Sequence, residues 1–219
     1  GLIVSPTSSI EVDHLIAARV LGCPFVLLDR RVPVLNADTF AIDNFRAAHE
    51  AVSSLVERGH RRIALVSNAP SHGEQQYLIS SVRERIDGYR AALHEAGIKI
   101  VPRFTVLGGW DPQNLARQLT MLCRSQNRPT AFLATDSSVA LVLLQVLREL
   151  DLSIPDQVSL ICFDDADWTA AVTPPLNVVS QPIGDLAKAA MEHLVARLQG
   201  EANRPGEEIL LQATLIERA

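Results

Sequence analysis

Residues 159–182 read SLICFDDADWTAAVTPPLNVVSQP, and the prediction of the fold of the whole chain starts from this segment. Its first five residues form an apolar run that ends in acid, which is typical of a strand buried on both faces of a parallel sheet. Asp164 and Asp165 follow where this strand leaves the core, at the end of the sheet where open α/β folds bind ligands. A second predicted strand, 177–180, stops before Pro182, which cannot donate a ladder hydrogen bond. The segment thus predicts one lobe of a two-lobed binder, with an acid at its mouth and the chain then crossing to the other lobe.

Apolar strand patterns alternate with amphipathic helix patterns along the rest of the chain. Further strands are predicted at 2–5, 25–28, 39–42, 63–67, 104–107 and 131–134. Helices are predicted at 12–21, 45–58, 81–96, 112–124, 137–149 and 183–199, and polar loops at 68–77 and after residue 199. Two short strands near 209–211 and 214–216 are expected to pair with each other. This alternation predicts an α/β fold with doubly wound parallel sheets and right-handed crossovers.

The composition limits the kinds of partner that the chain binds. Lysine and arginine total 20 against 25 acids, a net charge of −5, so the chain lacks the basic face expected of a nucleic-acid-binding surface. The three cysteines lie in or beside apolar runs, and we expect them to be buried thiols in a reducing compartment. No apolar run approaches the roughly 20 residues of a membrane helix. Because the chain opens directly on an apolar strand, we expect it to be a fragment whose upstream part is missing.

The sequence contains no motif for catalysis or for a cofactor. It has no glycine-rich phosphate loop and no GxSxG elbow, and its six histidines form no ligand pair at helical spacing. The acids Asp164 and Asp165 would be the candidates for a catalytic pair or a magnesium site. Neighbouring strand residues point to opposite faces of a sheet, however, so the two acids do not easily share one site. We therefore expect no catalytic residue, no metal and no cofactor.

Eight short motifs occur along the chain in order. They are DN at 43–44, GHRRIA at 59–64, RIDGY at 85–89, PTAF at 129–132, IPDQVS at 154–159, FDD at 163–165, TPPL at 173–176 and QP at 181–182. In this order and spacing they resemble the effector-binding domain of the LacI/GalR family of bacterial transcription repressors. Each motif alone is weak, but the ordered set is specific and covers essentially the whole chain.

The resemblance implies a fold like that of periplasmic sugar-binding proteins, in which three crossovers join two α/β lobes around a ligand cleft. On this basis residues 1–42 and 181–208 are expected to form an incomplete N-terminal lobe. Residues 43–180 and 209–219 are expected to form the C-terminal lobe. The family also carries an N-terminal helix-turn-helix and earlier strands of the first lobe, neither of which occurs in this sequence.

The strand ends and the resemblance together predict the ligand site. The candidates are Ser5 and Asp29 from the first lobe, together with Arg85, Trp110, Thr135, Asp164, Trp168 and Gln181. The resemblance implies that Asp29, Arg85 and Asp164 occupy ligand-contact positions of the family. Carboxylates and a guanidinium bind ligand hydroxyls or a ligand carboxylate more strongly in a cleft that partly excludes water. Trp110 and Trp168 offer flat rings that stack on a sugar or a base.

Most candidates also have a structural alternative. Asp29 would instead be a solvated turn acid paired with a neighbouring arginine, and Arg85 would be an ordinary surface arginine. Asp164 would instead tie down the loop that follows it, a role that suits Asp165 better. The two tryptophans would instead belong to the core.

Several positions depart from the family pattern or leave their role open. Thr135 stands where the family commonly has an amide and cannot offer the bidentate pattern of one, so the resemblance implies either an unusual effector or an effector contacted elsewhere. Asp136 is expected to cap a helix rather than to bind ligand. Bulky residues at 45–47 follow the DN motif, where many members carry glycine. Gln181 lies at a crossover and would serve either the ligand or a hinge.

These features predict a non-catalytic sensor that closes its lobes around a small polar metabolite, most simply a sugar. We expect a cytoplasmic homodimer that reaches operator DNA through a domain absent from this chain and that makes no membrane contact. Two other functions stay open: a periplasmic sugar-binding protein of a transport system, and an enzyme with Asp164 as its acid or base.

Overall fold

The computed structural model describes residues 1–70, 78–200 and 206–218. Its helices are α1 (Asp13–Val20), α2 (Asn44–Glu57), α3 (Ser80–Glu95), α4 (Pro112–Cys123), α5 (Ser137–Glu149), α6 (Asp167–Ala171) and α7 (Ile183–Leu198). Its strands are β1 (Leu2–Val4), β2 (Phe25–Leu28), β3 (Thr39–Ile42), β4 (Ile63–Ser67), β5 (Thr105–Leu107), β6 (Ala131–Ala134), β7 (Ser159–Phe163), β8 (Asn177–Ser180), β9 (Glu208–Leu211) and β10 (Thr214–Ile216). The two predicted polar loops fall partly at 71–77 and 201–205, which lie outside the described residues.

The larger sheet has the strand order β10-β8-β7-β6-β4-β5. All its neighbouring strands are parallel except β10, which runs antiparallel to β8. Its central strands are buried on both faces: in β7, Ile161 and Phe163 pack on one side, and Leu160 and Cys162 pack on the other. The prediction of a doubly covered parallel strand at 159–163 is therefore confirmed.

The smaller sheet has the strand order β1-β2-β3-β9, and all its strands are parallel. Helix α1 covers one face, where Leu15 packs with Leu27. Helix α7 covers the other face, where Leu186 belongs to the same apolar cluster as Phe40. That cluster continues through α2 and α3 onto the larger sheet, so one hydrophobic core joins the two halves of the molecule.

The chain crosses between the two sheets after β3, after β8 and after β9. The predicted α/β architecture of two lobes joined by three crossovers is thereby confirmed. The predicted pairing of the last two strands is wrong, because β9 pairs with β3 and β10 pairs with β8. Residues 209–211, which we expected in the second lobe, lie in β9 of the smaller sheet, beside β3. We propose a first lobe of 1–42 with 181–211 and a second lobe of 43–180 with 212–218.

Aspartate side chains fix the starts of three helices. Asp43, Asp111 and Asp136 each accept backbone N–H hydrogen bonds at the beginning of α2, α4 and α5. These bonds satisfy N–H groups that have no partner within their helix, and the predicted caps at Asp111 and Asp136 are confirmed. Helix α6 was not predicted, because its five residues are too few for a helical period to be recognised. No helix in the described part of the chain has the length and apolar character needed to cross a membrane.

Burial determines how reactive the cysteines are. Cys123 and Cys162 are buried, as predicted, but Cys23 is only half-buried, so the expectation of three buried thiols is wrong for Cys23. Burial raises the pKa of Cys123 to about 11 and that of Cys162 to about 12. These two thiols are therefore almost entirely protonated at neutral pH.

In the folded chain, we expect Ellman's reagent at pH 8 to modify Cys23 within minutes and to spare the other two cysteines. The raised pKa values lower the reactive thiolate fraction at least about 100-fold relative to an exposed cysteine. Thiols are counted before and after denaturation, and the control Cys23→Ser should abolish the fast reaction. Two rapidly modified thiols in the folded wild-type chain would contradict the burial of Cys123 or Cys162.

Candidate functional site

A cavity of about 400 Å³ lies between the two lobes. Residues that follow the carboxyl ends of strands from both sheets form its polar wall. The complete lining is Leu28, Asp29, Arg30, Asn68, Ile79, Val82, Arg85, Trp110, Thr135, Asp136, Ser137, Ser138, Asp164, Gln181, Ile183 and Leu186. The volume falls within the roughly 300–1,000 Å³ of small-molecule sites, and the edge of the sheets is the one at which open α/β folds bind ligands.

Three residues of this cavity have positive φ. The angles are 68° for Asp29, 63° for Trp110 and 74° for Asp164. Residues other than glycine rarely adopt this left-handed backbone conformation, because their Cβ atoms clash with the backbone. Such conformations cluster at ligand sites, where the surrounding structure holds them in place. Here they occur at the turns that follow β2, β5 and β7, which bring these side chains to the cavity wall.

The two adjacent acids have different roles. Asp164 lines the cavity and accepts a hydrogen bond from the side-chain amide of Gln181, with 2.6 Å between Nε2 and Oδ1. Asp165 instead accepts from the guanidinium of Arg218 at 2.7 Å and from the hydroxyl of Thr169 at 3.3 Å, which ties down α6 and the chain end. The two acids do not share one site, as predicted, but the reason is the left-handed turn at Asp164 after β7 and not alternation along a strand. Gln181, at the second crossover, positions the carboxylate of Asp164.

Arg85 is a buried arginine, not a surface one, with only 5% of its residue area exposed. Its Nε donates to the side-chain oxygen of Asn44 at 2.8 Å, and its Nη1 donates to the backbone oxygen of Thr135 at 2.5 Å. Its guanidinium carbon lies 4.0 Å from the ring centre of Phe163, a cation–π contact. Burial lowers the pKa of Arg85, while the nearby charges of Asp29, Asp164 and Asp136 act in the opposite direction.

Asp136 combines the predicted cap with a place in the cavity wall. Its Oδ1 accepts from the backbone N–H of Val139 at 2.9 Å. Burial raises its pKa, the Val139 N–H acts against this, and the charge of Asp164 raises it further. The carboxylates of Asp136 and Asp164 therefore repel each other across the second-lobe side of the cavity.

Asp29 and Trp110 complete the polar and aromatic parts of the wall. Asp29 lines the cavity and also accepts from the guanidinium of Arg30, with 3.2 Å between Nε and Oδ2. Asp29 thus faces the cavity and also makes the pair with a neighbouring arginine that its alternative role as a turn acid predicted. Trp110 is 67% exposed, which excludes a core tryptophan and leaves its ring free at the mouth of the cavity.

Arg31 forms direct contacts between the lobes beside the cavity. Its guanidinium forms an ion pair with Glu84 of α3, and its backbone N–H donates to the hydroxyl of Ser80 at 2.7 Å. Both partners belong to the second lobe, whereas Glu208, which binds the same guanidinium at 3.0 Å, belongs to the first. Because Glu84 and Arg85 are adjacent on α3, these interlobe contacts adjoin the ligand site.

Two predicted site residues, Ser5 and Trp168, do not line the cavity, and a third, Thr135, lines it without offering its side chain freely. Ser5 is exposed and does not line the cavity, because β1 is the outer strand of its sheet, one strand further out than β2, which carries Asp29. Trp168 packs on the second-lobe core and does not line the cavity, because α6 turns it inward. The fully buried Thr135 acts through its backbone oxygen, which holds Arg85, while its hydroxyl lies 3.4 Å from Asp136. The structure therefore does not bring Ser5 and Trp168 together with the other predicted site residues.

Several residues of the site were not predicted from the sequence. Asn68 follows β4 in the same way that Asp164 follows β7, and this strand-end position was the available signal. Asn44 was part of a quoted motif, but its buried contact with Arg85 gave no sequence signal. The apolar wall at Ile79 and Val82 depends on how the start of α3 is oriented, which the sequence pattern does not specify.

Comparisons with known proteins agree with this geometry. The sequence profile of the periplasmic binding protein-like domain matches residues 52–219. A protein of Rhizobium rhizogenes named a probable opine utilization operon repressor is 76% identical over 177 residues, which cover 81% of this chain and 89% of that protein. The chain spans only about half the length of other curated relatives, such as 53% of the transcriptional repressor CytR of Escherichia coli K12, to which it is 29% identical over 85% of its own length.

Solved structures extend the likeness to the whole chain. A LacI-family transcriptional regulator from Enterococcus faecium with bound ribose superimposes with a TM-score of 0.82 at 26% identity, covering 99% of this chain and 77% of that one. A complex of the transcriptional regulator CelR with cellobiose superimposes with a TM-score of 0.86 at 26% identity, covering 100% of this chain and 64% of that one. The chain therefore belongs to the periplasmic binding protein-like family, in the group formed by the effector-binding domains of LacI-family transcriptional regulators.

Proposed function

We propose that this chain is the effector-sensing domain of a LacI-type repressor and that it binds a small polar metabolite between its lobes. The observation that carries this proposal is that Asp29 of the first lobe and Arg85 and Asp164 of the second line one cavity. The relatives reported above are named as repressors and transcriptional regulators, which supports the same function.

The effector of this chain is a sugar or a similar small polar metabolite. Ribose and cellobiose are bound in two structural relatives, and the relative with 76% identity is named for an opine utilization operon. An opine therefore joins sugars among the effectors to be tested. The exposed ring of Trp110 suits the apolar C–H face of such a molecule, and the carboxylates suit its hydroxyl groups.

The ligand acts by bridging the lobes. A molecule that contacts both lobes favours the closed cleft, but only by the difference between its affinities for the closed and open states. The contacts of Arg31 with Glu84 and Ser80 also hold the two lobes together, in addition to the contacts that the ligand makes with both lobes. In a two-fold dimer, a change in closure would alter the spacing of DNA-binding domains carried by a longer chain.

The remaining features of the proposal follow from the relatives. We propose a cytoplasmic homodimer that contacts operator DNA through a domain outside this chain, and no enzymatic step at the cleft. The relatives are repressors and regulators rather than transport proteins, which leaves the transport function without support.

Thermal unfolding of this chain with a panel of ribose, cellobiose and opines tests the proposal. A ligand present at about 100 times its Kd should raise the melting temperature by roughly 5–10 °C, because it binds only the folded state. Small-angle scattering should then give a smaller radius of gyration for the liganded chain. Binding without compaction would contradict lobe bridging, and chemical conversion of the bound ligand would contradict a sensor.

A further inference from the structure

Arg85 is a buried cation with no ion-pair partner in the described part of the chain, and the inference drawn from it rests on the proposed function. Among the described residues, no carboxylate lies within ion-pair distance of its guanidinium, and its two hydrogen-bond acceptors, from Asn44 and Thr135, are neutral oxygens. Within the same residues its Nη2 makes no hydrogen bond, although Arg85 lines the cavity. A buried charge left in this state is costly unless a counter-charge arrives, and Phe163 compensates only in part. Asp29, Asp164 and Asp136 act on Arg85 only from beyond ion-pair distance, and a ligand carboxylate would supply the direct ion pair.

Asp164, on the same wall of the cavity, is a carboxylate that has no ion-pair partner among the described residues. Its partner is the neutral amide of Gln181, and no described cation lies within ion-pair distance of its carboxylate. The nearby carboxylate of Asp136 is also unpaired with any described cation and has a raised pKa, in part because of Asp164. Asp29, in contrast, already has Arg30 as its ionic partner. A positive group of the ligand beside Asp164 would relieve the repulsion between the two second-lobe acids.

The charges of the cavity distinguish between classes of ligand. The lining includes three carboxylates and two guanidiniums, which leaves one net negative charge. A neutral sugar would give neither Arg85 nor Asp164 a direct ion-pair partner, a simple anion would give one only to Arg85, and a simple cation would give one only to Asp164. A ligand with both charges serves both residues through charge-assisted hydrogen bonds, which are roughly twice as strong as neutral ones.

We propose that the effector is a zwitterionic N-substituted amino acid, whose carboxylate binds Arg85 and whose protonated amine binds Asp164. The substituent on the amine is a polyhydroxylated chain or ring, which extends toward the exposed indole of Trp110 at the mouth of the cavity. A planar carboxylate matches the fork formed by Nη1 and Nη2, and this geometry favours it over a hydroxyl at the same place.

The test is a pair of thermodynamic cycles measured by isothermal titration calorimetry. The probes are N-(1-deoxy-D-fructos-1-yl) derivatives of glycine, glutamine and glutamate, with ribose and cellobiose as neutral references. In the first cycle, the primary amide of each probe replaces its α-carboxylate, and Arg85→Gln replaces the guanidinium. In the second cycle, an ether-linked analogue replaces the amine, and Asp164→Asn replaces the carboxylate without a change of shape. Thermal unfolding of both variants checks that they are folded.

We expect at least one probe to bind wild-type chain and to lose roughly 10- to 100-fold in affinity when either its carboxylate or its amine is removed. In Arg85→Gln the acid and amide probes should bind alike, and in Asp164→Asn the amine and ether probes should bind alike. Should Arg85→Gln fail to fold, the isosteric Asp164→Asn cycle decides alone.

The contrary outcomes separate this inference from the proposed function. Binding of ribose or cellobiose without binding of any amino acid derivative would overturn the zwitterion and leave the sensor intact. Equal affinity of wild-type chain for a probe and its amide would overturn the role assigned to Arg85. If neither the derivatives nor the neutral sugars and opines bind, the sensor itself fails.

Discussion

Replacing Gly88 with alanine is expected to lower the free energy of unfolding by about 3 kcal/mol. Gly88 lies where α3 crosses α2, and a Cβ built on it would be 2.2 Å from the backbone oxygen of Phe45 and 3.1 Å from the Cβ of Ala48. The first of these contacts is with backbone, so the helices would have to separate. The separation outweighs the roughly 1 kcal/mol that alanine gains over glycine within a helix. It also displaces Arg85, one turn earlier on α3, from its acceptor Asn44.

Gly184 of α7 provides the matched control. It is also a helical glycine, but a Cβ built on it would have no heavy atom within 4 Å. Gly184→Ala should therefore leave stability unchanged or raise it by up to about 1 kcal/mol. Urea unfolding followed by circular dichroism measures both variants. A Gly88→Ala chain as stable as wild type would show that α2 and α3 are not packed this closely.

Replacing Asp164 with alanine is expected to weaken effector binding about 100-fold. The substitution removes the charged acceptor that the end of β7 presents to the cavity, and it leaves the amide of Gln181 without its acceptor. Hydrogen bonds between charged groups are worth about 1.5–3 kcal/mol each, and the ligand loses them in a site that partly excludes water. Titration calorimetry with whichever probe stabilises the wild-type chain measures the effect.

Asp156→Ala is the matched control for this substitution. Asp156 is an exposed acid near the opposite end of β7, so its removal changes the net charge by the same amount without touching the cavity. Its affinity for the probe should stay within about twofold of wild type, because exposed charges at that distance are screened by salt. Equal losses in the two variants would mean that net charge, and not the cleft, controls binding.

The elements of the fold were readable from the sequence because their boundaries carry local signals. Apolar runs that end at polar residues or at proline predicted β2, β3, β4, β6 and β7 with the bounds that the structure has. The pairing of β9 and β10 was not readable in the same way. Only two residues separate these strands, which locally resembles a hairpin, yet each pairs with a strand distant in sequence. Tertiary partners determine that choice, and short strands carry no pattern that identifies them.

The candidate site was predictable as a class of positions but not residue by residue. Asp29, Asp164 and Ser5 each follow a strand, yet only the two aspartates line the cavity, because β1 lies at the outer edge of its sheet. Trp110 and Trp168 were similar candidates in the sequence. A left-handed turn leaves Trp110 at the cavity, while an unpredicted short helix packs Trp168 on the core. Strand order and backbone angles determine which of these candidates line the cavity. Neither property can be predicted from the local composition of the sequence.

The central claim is that one small molecule contacts both lobes in the cleft. A crystal structure of the chain bound to the tightest of the tested ligands examines it directly. The predicted result is ligand density that touches Asp29 of the first lobe together with Arg85 and Asp164 of the second. Density confined to one lobe, or located outside the cleft, would contradict the account.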